Sequence, residues 1–260
     1  MDSDVILTGS NIELNFGGVR ALRGVNFDLH RREILAVIGP NGAGKTALLN
    51  CISGFYQPHA GAIYYSGKDI TKMPPHRIAG LGVARTFQNL ALFEGLSVRD
   101  NIMSGMHCRI RENLLAQALW FGPTLKEETK NLRMVEDIID FLEIEGIRYQ
   151  AVGSLAYGLK KRVELGRALA IGPKILLVDE PMAGMNLEEK EDIARFLIDI
   201  HELRGTPIIL VEHDMGFVMD IANRIVVLDF GNKIAEGTPR EIQSNPKVIK
   251  AYLGEESEDF

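Results

Sequence analysis

Gly39-Pro40-Asn41-Gly42-Ala43-Gly44-Lys45-Thr46 decides the fold of this chain. Glycines at this spacing ending in Lys-Thr make a phosphate-binding loop when a strand precedes them and a helix follows. Both flanks are present: residues 34–38 read Ile-Leu-Ala-Val-Ile, and residues 45–53 read as a helix. Glycine lets successive backbone N–H groups turn inward around phosphate oxygens where a side chain would block approach. The helix starting near Lys45 adds its positive dipole end. Lys45 is expected to span the β- and γ-phosphates and Thr46 to offer its hydroxyl to Mg²⁺. Gly39, Asn41, Gly42, Ala43, Gly44 and Ala47 are expected to complete the nucleotide contacts.

The complementary piece lies far downstream, in Ile175-Leu176-Leu177-Val178-Asp179-Glu180-Pro181. An apolar strand ending in Asp delivers a carboxylate to the sheet's carboxyl edge, where it can hold Mg²⁺. Glu180 then stands beside it to orient and partly deprotonate an attacking water. Alone, Asp-Glu after a strand is a polar turn; the loop upstream gives the pair its meaning.

Around these anchors the first third reads as strands at residues 12–16, 25–29, 34–38 and 62–65. Residues 98–145 change texture, with Leu132, Val135, Ile138, Ile139 and Leu142 at helical spacing. Beyond Gly158 the reading alternates: a helix over 160–170, a strand over 175–178, a helix over 194–203, and strands over 208–211 and 225–228. Alternation of this kind predicts an α/β fold with a mainly parallel sheet and helices on both faces. Residues 98–170 are expected to form an inserted helical subdomain, 1–97 and 171–254 the core with an antiparallel β subdomain, and 255–260 a frayed acidic tail. The run Lys160-Lys161-Arg162 reads as a solvated helix face, and Trp120-Phe121 as core or as a partner-facing patch. Cys51 reads as a small apolar residue.

Composition narrows the function. The 260 residues carry a net charge of −6, which argues against a nucleic-acid or anionic-membrane footprint. Two cysteines are too few for a disulfide framework. The start Met1-Asp2-Ser3-Asp4 lacks the features of a signal peptide, and no apolar run approaches the ~20 residues that span a bilayer. A membrane role therefore needs a partner. A guanine-reading Asn-Lys-x-Asp is absent, since Asn232-Lys233 continues as Ile234-Ala235.

Further motifs resemble those of ABC ATPases. Thr86-Phe87-Gln88 is similar to the Q-loop, Leu155-Ala156-Tyr157-Gly158-Leu159 stands in the place of the signature, Ala183-Gly184-Met185-Asn186 is similar to the D-loop, and His213 to the switch histidine. Residues 50–58, 84–89, 236–242 and 248–254 bring the resemblance closest to the branched-chain amino acid transport ATPases, over essentially the whole chain. The resemblance implies an ABC ATPase core that binds ATP and Mg²⁺ and hydrolyses ATP. Glu180, His213 and Gln88 are its implied catalytic residues, and Thr46, Gln88 and Asp179 its implied metal-holding ones. Ala156, Tyr157 and Gly158 would meet nucleotide across a dimer, and Phe16 would stack on adenine unless it is simple core. It also implies membrane permease subunits, a second ABC ATPase or a second copy of this chain, an external substrate-binding protein, and a peripheral place at the cytoplasmic membrane face. The implied cargo is branched-chain amino acids; related systems move urea, amides or aromatic acids, and non-transport ABC ATPases are a further alternative.

The chain also departs from the general family. Ala156 stands where the signature serine is usual, Tyr157 replaces a glycine, Leu159 a glutamine, and Asn186 the usual D-loop aspartate. Losing the hydroxyl removes one charge-assisted bond, worth ~1.5–3 kcal/mol in favourable settings. The Gly158 amide and the helix behind it remain for the phosphate.

Overall fold

The computed structural model describes residues 4–87, 90–108 and 123–253. Two sheets carry the architecture. β1 (Val5–Phe16) and β2 (Val19–His30) form an antiparallel hairpin, joined by β4 (Ala60–Tyr65) and β5 (Lys68–Asp69) in the order β2-β1-β4-β5. The second sheet holds β3 (Ile34–Ile38), β6 (Val83–Arg85), β7 (Ile175–Asp179), β8 (Ile208–Val211), β9 (Arg224–Asp229) and β10 (Asn232–Gly237). Its order is β10-β9-β3-β8-β7-β6, parallel throughout except for β10. Every residue of β3, β7 and β8 is buried, as expected of parallel strands covered on both faces.

Side-chain alternation along β3 divides the interior. Leu35 and Val37 join a core shared with the hairpin residues Leu7, Leu22 and Leu29 and with Leu48, Leu49 and Ile52 of α1 (Lys45–Ile52). Ile34 faces a second core built by α3 (Val98–Ser104), α4 (Pro123–Phe141), α5 (Tyr157–Ala170) and α6 (Leu187–Arg204). Ala36 and Ile38 meet α7 (Met215–Ile221), α8 (Pro239–Gln243) and α9 (Pro246–Leu253). α2 (Pro75–Gly80) sends Ile78 into the first core. Arg224 pins the frame at one edge, pairing with Glu33, Asp28 and Glu236 from three different segments.

Several expectations are corrected here. The hairpin strands run 12 residues each, much longer than the apolar stretches at 12–16 and 25–29, because outward polar residues such as Glu13 and Arg23 interrupt the run without breaking the pairing. The helices expected from 160 and 194 begin at Tyr157 and Leu187; the second gains a capping box from Asn186 and Glu189. Lys160-Lys161-Arg162 is not a solvated face. Lys161 is 4% exposed and pairs with Glu164 at 3.6 Å, while Arg162 lies over the Phe196 ring and pairs with Asp192. On the expected helical segment, Val135, Ile138, Ile139 and Leu142 are buried as read. Cys51 is buried and free, and burial pushes its thiol up to about 12. Trp120-Phe121 and residues 255–260 lie outside the described residues.

Candidate nucleotide-binding site

Strand order brings the two anchors together. β3 delivers the glycine loop and β7 delivers Asp179 at the same carboxyl edge, with β8 between them. The loop takes the backbone its glycines allow: φ is +147° at Gly39, +77° at Gly42 and +104° at Gly44. A Cβ on Gly39 would sit 2.0 Å from the Leu228 carbonyl oxygen, and one on Gly44 2.6 Å from that of Ala21. No side chain fits at either place, so the turn is shaped before any ligand arrives.

Ala21, Asn41, Gly42, Ala43, Gly44, Lys45, Thr46, Ala47 and Glu180 line a cleft of about 280 Å³ there. Lys45 is 6% exposed, and its Nζ donates to the carbonyls of Gly39 at 2.6 Å and Pro40 at 2.9 Å. Thr46 Oγ1 stands 3.5 Å from Asp179 Oδ1. A hydroxyl and a carboxylate are the hard oxygen donors that suit Mg²⁺, which takes few protein ligands and fills its sphere with phosphate and water. The donor set therefore fits that ion. Glu180 follows with φ +45°, its N–H donating to the Val211 carbonyl at 2.9 Å. A non-glycine residue in this region stores strain of ~1–3 kcal/mol, and such strain gathers at functional positions.

His213 lies just past β8 with 59% of its side chain exposed. Its backbone N–H is held at 2.8 Å by Glu212 Oε2, while Glu212 Oε1 accepts from Met182 N–H at 3.0 Å. Glu212 is fully buried, so it ties the turn after Glu180 to the base of His213. Nearby, the hydrogen bond from Lys190 is the first of several contacts that hold the Asp214 carboxyl below the usual range. Phe16 ends β1 with 47% exposure and an edge-on contact to Tyr56 at 5.0 Å. It is not core, and it lies outside the cleft lining.

The signature turn lies elsewhere. Ala156 is the N-cap of α5 (φ −59°, ψ 156°) and, as alanine, supplies no capping bond. Ala156 and Tyr157 are exposed, Gly158 is buried, and none of the three lines the cleft. Gly158 packs so closely on α6 that a Cβ would meet Glu189 Oε1 at 2.2 Å. Asn186 caps α6 through its side-chain oxygen at 2.9 Å from Glu189 N, a task that aspartate performs equally well. Gln88 lies outside the described residues, but the stretch before it is anchored. Phe87 N–H donates to Glu164 Oε1 at 2.8 Å, and burial raises the Glu164 carboxyl.

Sequence reading missed two residues of this site. Arg85 closes β6 and pairs with Asp179 Oδ2 at 2.9 Å, and Glu212 underlies His213. A charged residue directly after an apolar strand was the available signal for Glu212; Arg85 gave none, because its partner lies 94 residues away.

Residues 22–183 match the family described as ABC transporter, and residues 232–258 match the branched-chain amino acid ATP-binding cassette transporter family. The high-affinity branched-chain amino acid transport ATP-binding protein BraF of Pseudomonas aeruginosa is 38% identical over 96% of this chain and 98% of its own. The corresponding LivG protein of Escherichia coli is 36% identical over 97% and 99%. The ADP conformation of MJ1267, an ATP-binding cassette of an ABC transporter, superposes with a TM-score of 0.84 at 31% identity, covering 96% of this chain and 99% of that one.

Proposed function

Since the chain belongs to the ATP-binding proteins of ABC transporters, in their branched-chain amino acid group, we propose that it binds Mg²⁺-ATP in the cleft behind Gly39 and hydrolyses it to drive import of branched-chain amino acids. The observation that carries the reading is the convergence of Lys45, Thr46, Asp179 and Glu180 on one edge of the sheet, although 133 residues separate Thr46 from Asp179.

Residue by residue, the backbone N–H groups of the loop and the start of α1 receive the phosphates. Lys45 exchanges its two carbonyl acceptors for the β- and γ-phosphate oxygens, gaining charge-assisted bonds in a nearly buried place. Thr46 and Asp179 hold the ion, which supplies neutralisation of charge on the transferred group. Glu180 orients the attacking water and accepts its proton; Gln88 and His213 complete the surroundings of the γ-phosphate. Phe16 stacks on the adenine ring, a role its exposure at the mouth of the hairpin supports.

The site is shared between subunits in this reading. Ala156, Tyr157 and Gly158 lie away from the chain's own cleft, so they serve the nucleotide on an opposing cassette, which is either a second ATPase or a second copy. Among the described residues no helix is long and apolar enough to cross a membrane. Permease subunits therefore supply the passage, an external binding protein delivers the cargo, and the chain attaches from the cytoplasmic side. Residues 98–108 and 123–170 belong to a helical subdomain that carries the signature.

The test is reconstitution of the chain with its neighbouring permease, partner ATPase and binding protein in vesicles. Leucine, isoleucine or valine should stimulate ATP hydrolysis and accumulate. Glu180→Gln should keep ATP binding and lose at least 10²-fold in turnover, the lower range for a missing general base. Near-normal hydrolysis by that variant removes Glu180 from the mechanism. Stimulation by urea, amides or aromatic acids alone refutes the cargo.

A further inference from the structure

Arg85 is a guanidinium that a strand carries indoors, with 6% of its side chain exposed. A buried charge costs several kcal/mol unless it is paired and hydrogen-bonded, so its partners reveal why it is there. Nη2 donates to Asp179 Oδ2 at 2.9 Å. Nη1 donates to Asn50 Oδ1 at 2.7 Å and to Ser53 Oγ at 2.8 Å, on and just past the end of α1. The rings of Phe55 and Phe87 flank the group at 5.9 and 5.3 Å. Nε is buried and makes no hydrogen bond among the described residues. The fork is thus held by neutral groups as well as by the carboxylate, and it is a fixture of the fold, not a mobile counter-ion.

The Asp179 carboxylate is divided between two tasks. Oδ2 belongs to Arg85, and Oδ1 faces Thr46 Oγ1 at 3.5 Å. We propose that Arg85 is the positioning residue of the magnesium site, holding Asp179 by one oxygen so that the other is presented beside Thr46. The proposal rests on the assignment of Asp179 to the ion made above. A planar fork bonded to α1 and β7 at once sets both the distance and the rotation of the carboxylate, which a point charge does not. Arg85 also leads directly into Thr86 and Phe87. The group that orients the carboxylate therefore anchors the start of the segment running on towards Gln88.

Binding of a fluorescent ATP analogue to the isolated chain tests this without turnover, in EDTA and across a Mg²⁺ titration. Arg85→Gln should raise the Mg²⁺ concentration for half-maximal enhancement at least tenfold and leave binding in EDTA within twofold. Arg85→Lys keeps the charge without the fork and should fall between; it decides by the same criterion if the glutamine variant fails a thermal-unfolding check. Asp179→Asn separates the two claims. If it leaves the Mg²⁺ requirement unchanged, the assignment of Asp179 itself fails. If it raises the requirement while both Arg85 variants do not, Arg85 is no positioning residue and Asp179 stands. A lowered requirement makes Arg85 a competitor of the ion, and a parallel loss of binding in EDTA makes it merely structural; either result overturns the proposal.

Discussion

Ala156→Ser should do two separable things, and the structure sets the size of each. Ala156 is the N-cap of α5 in extended geometry, and its own side chain makes no capping hydrogen bond to the first turn. A serine in that conformation accepts from the N–H at Gly158 or Leu159. N-cap replacements of this kind are worth about 0.5–2 kcal/mol, typically ~1. At roughly 2–4 °C per kcal/mol for a chain of this size, the isolated protein should melt a few degrees higher without nucleotide. The same hydroxyl keeps its proton free to donate to a phosphate oxygen, because capping uses only the acceptor side. In the assembled dimer it should add at most ~1.5–3 kcal/mol to ATP binding, less where water already bridges. This second gain belongs to the site on the partner's phosphate loop. Calorimetric melting of the isolated chain reads the first effect. A heterodimer in which each loop lysine is inactivated in turn reads the second. An unchanged melting temperature refutes the capping argument; a gain at the site containing this chain's Lys45 refutes the head-to-tail geometry.

Lys45→Ala should weaken ATP binding itself by tenfold or more, measured by equilibrium binding, since it removes a buried cation from the phosphates; unchanged affinity removes that role. The isolated chain should be monomeric and slow in dilute solution, with rate per chain rising with concentration or partner ATPase; a dilute monomer at full rate contradicts the shared site. Asp214→Asn should cost up to about 1 kcal/mol near pH 7, because the Lys190 pair is partly exposed. Asp214 is held below its ordinary 3.8, so its contribution is complete above that value and is lost as pH falls through the lower folded value. The variant's acid-unfolding profile should therefore be flatter below about pH 4, a window set by the ordinary Asp value; a parallel profile removes Asp214 from the linkage.

The parts of the site legible in the sequence were those whose chemistry is local. The glycine loop states its own backbone, and the strand into Asp179 states its own burial. Arg85 could not be read this way, because its meaning depends on a carboxylate 94 residues away brought alongside by β6–β7 pairing. Lys161 misled for the opposite reason. Adjacent cations look solvated, yet one helical turn later Glu164 supplies the counter-charge that lets the pair go inside. Helix α5 was expected three residues too late because an alanine cap carries no starting signal. Whether Phe16 is core was not legible, since a phenyl ring at a strand end suits a core as well as a surface; its 47% exposure excludes the core.

The position of β3 between β8 and β9 has a consequence for synthesis on the ribosome. The strand that leads into the phosphate loop emerges early, but both of its sheet neighbours lie beyond residue 207. At ~5–20 residues per second, its five apolar residues wait on the order of ten to forty seconds for their hydrogen-bonding partners. The phosphate loop waits on the same stretch, since Gly39 packs against the Leu228 carbonyl of β9 and the Ala43 carbonyl accepts from Gly231 N–H at 3.0 Å. Chaperone occupancy on stalled nascent chains should therefore stay high until β9 has cleared the exit tunnel, and truncations that stop short of it should aggregate rather than bind ATP.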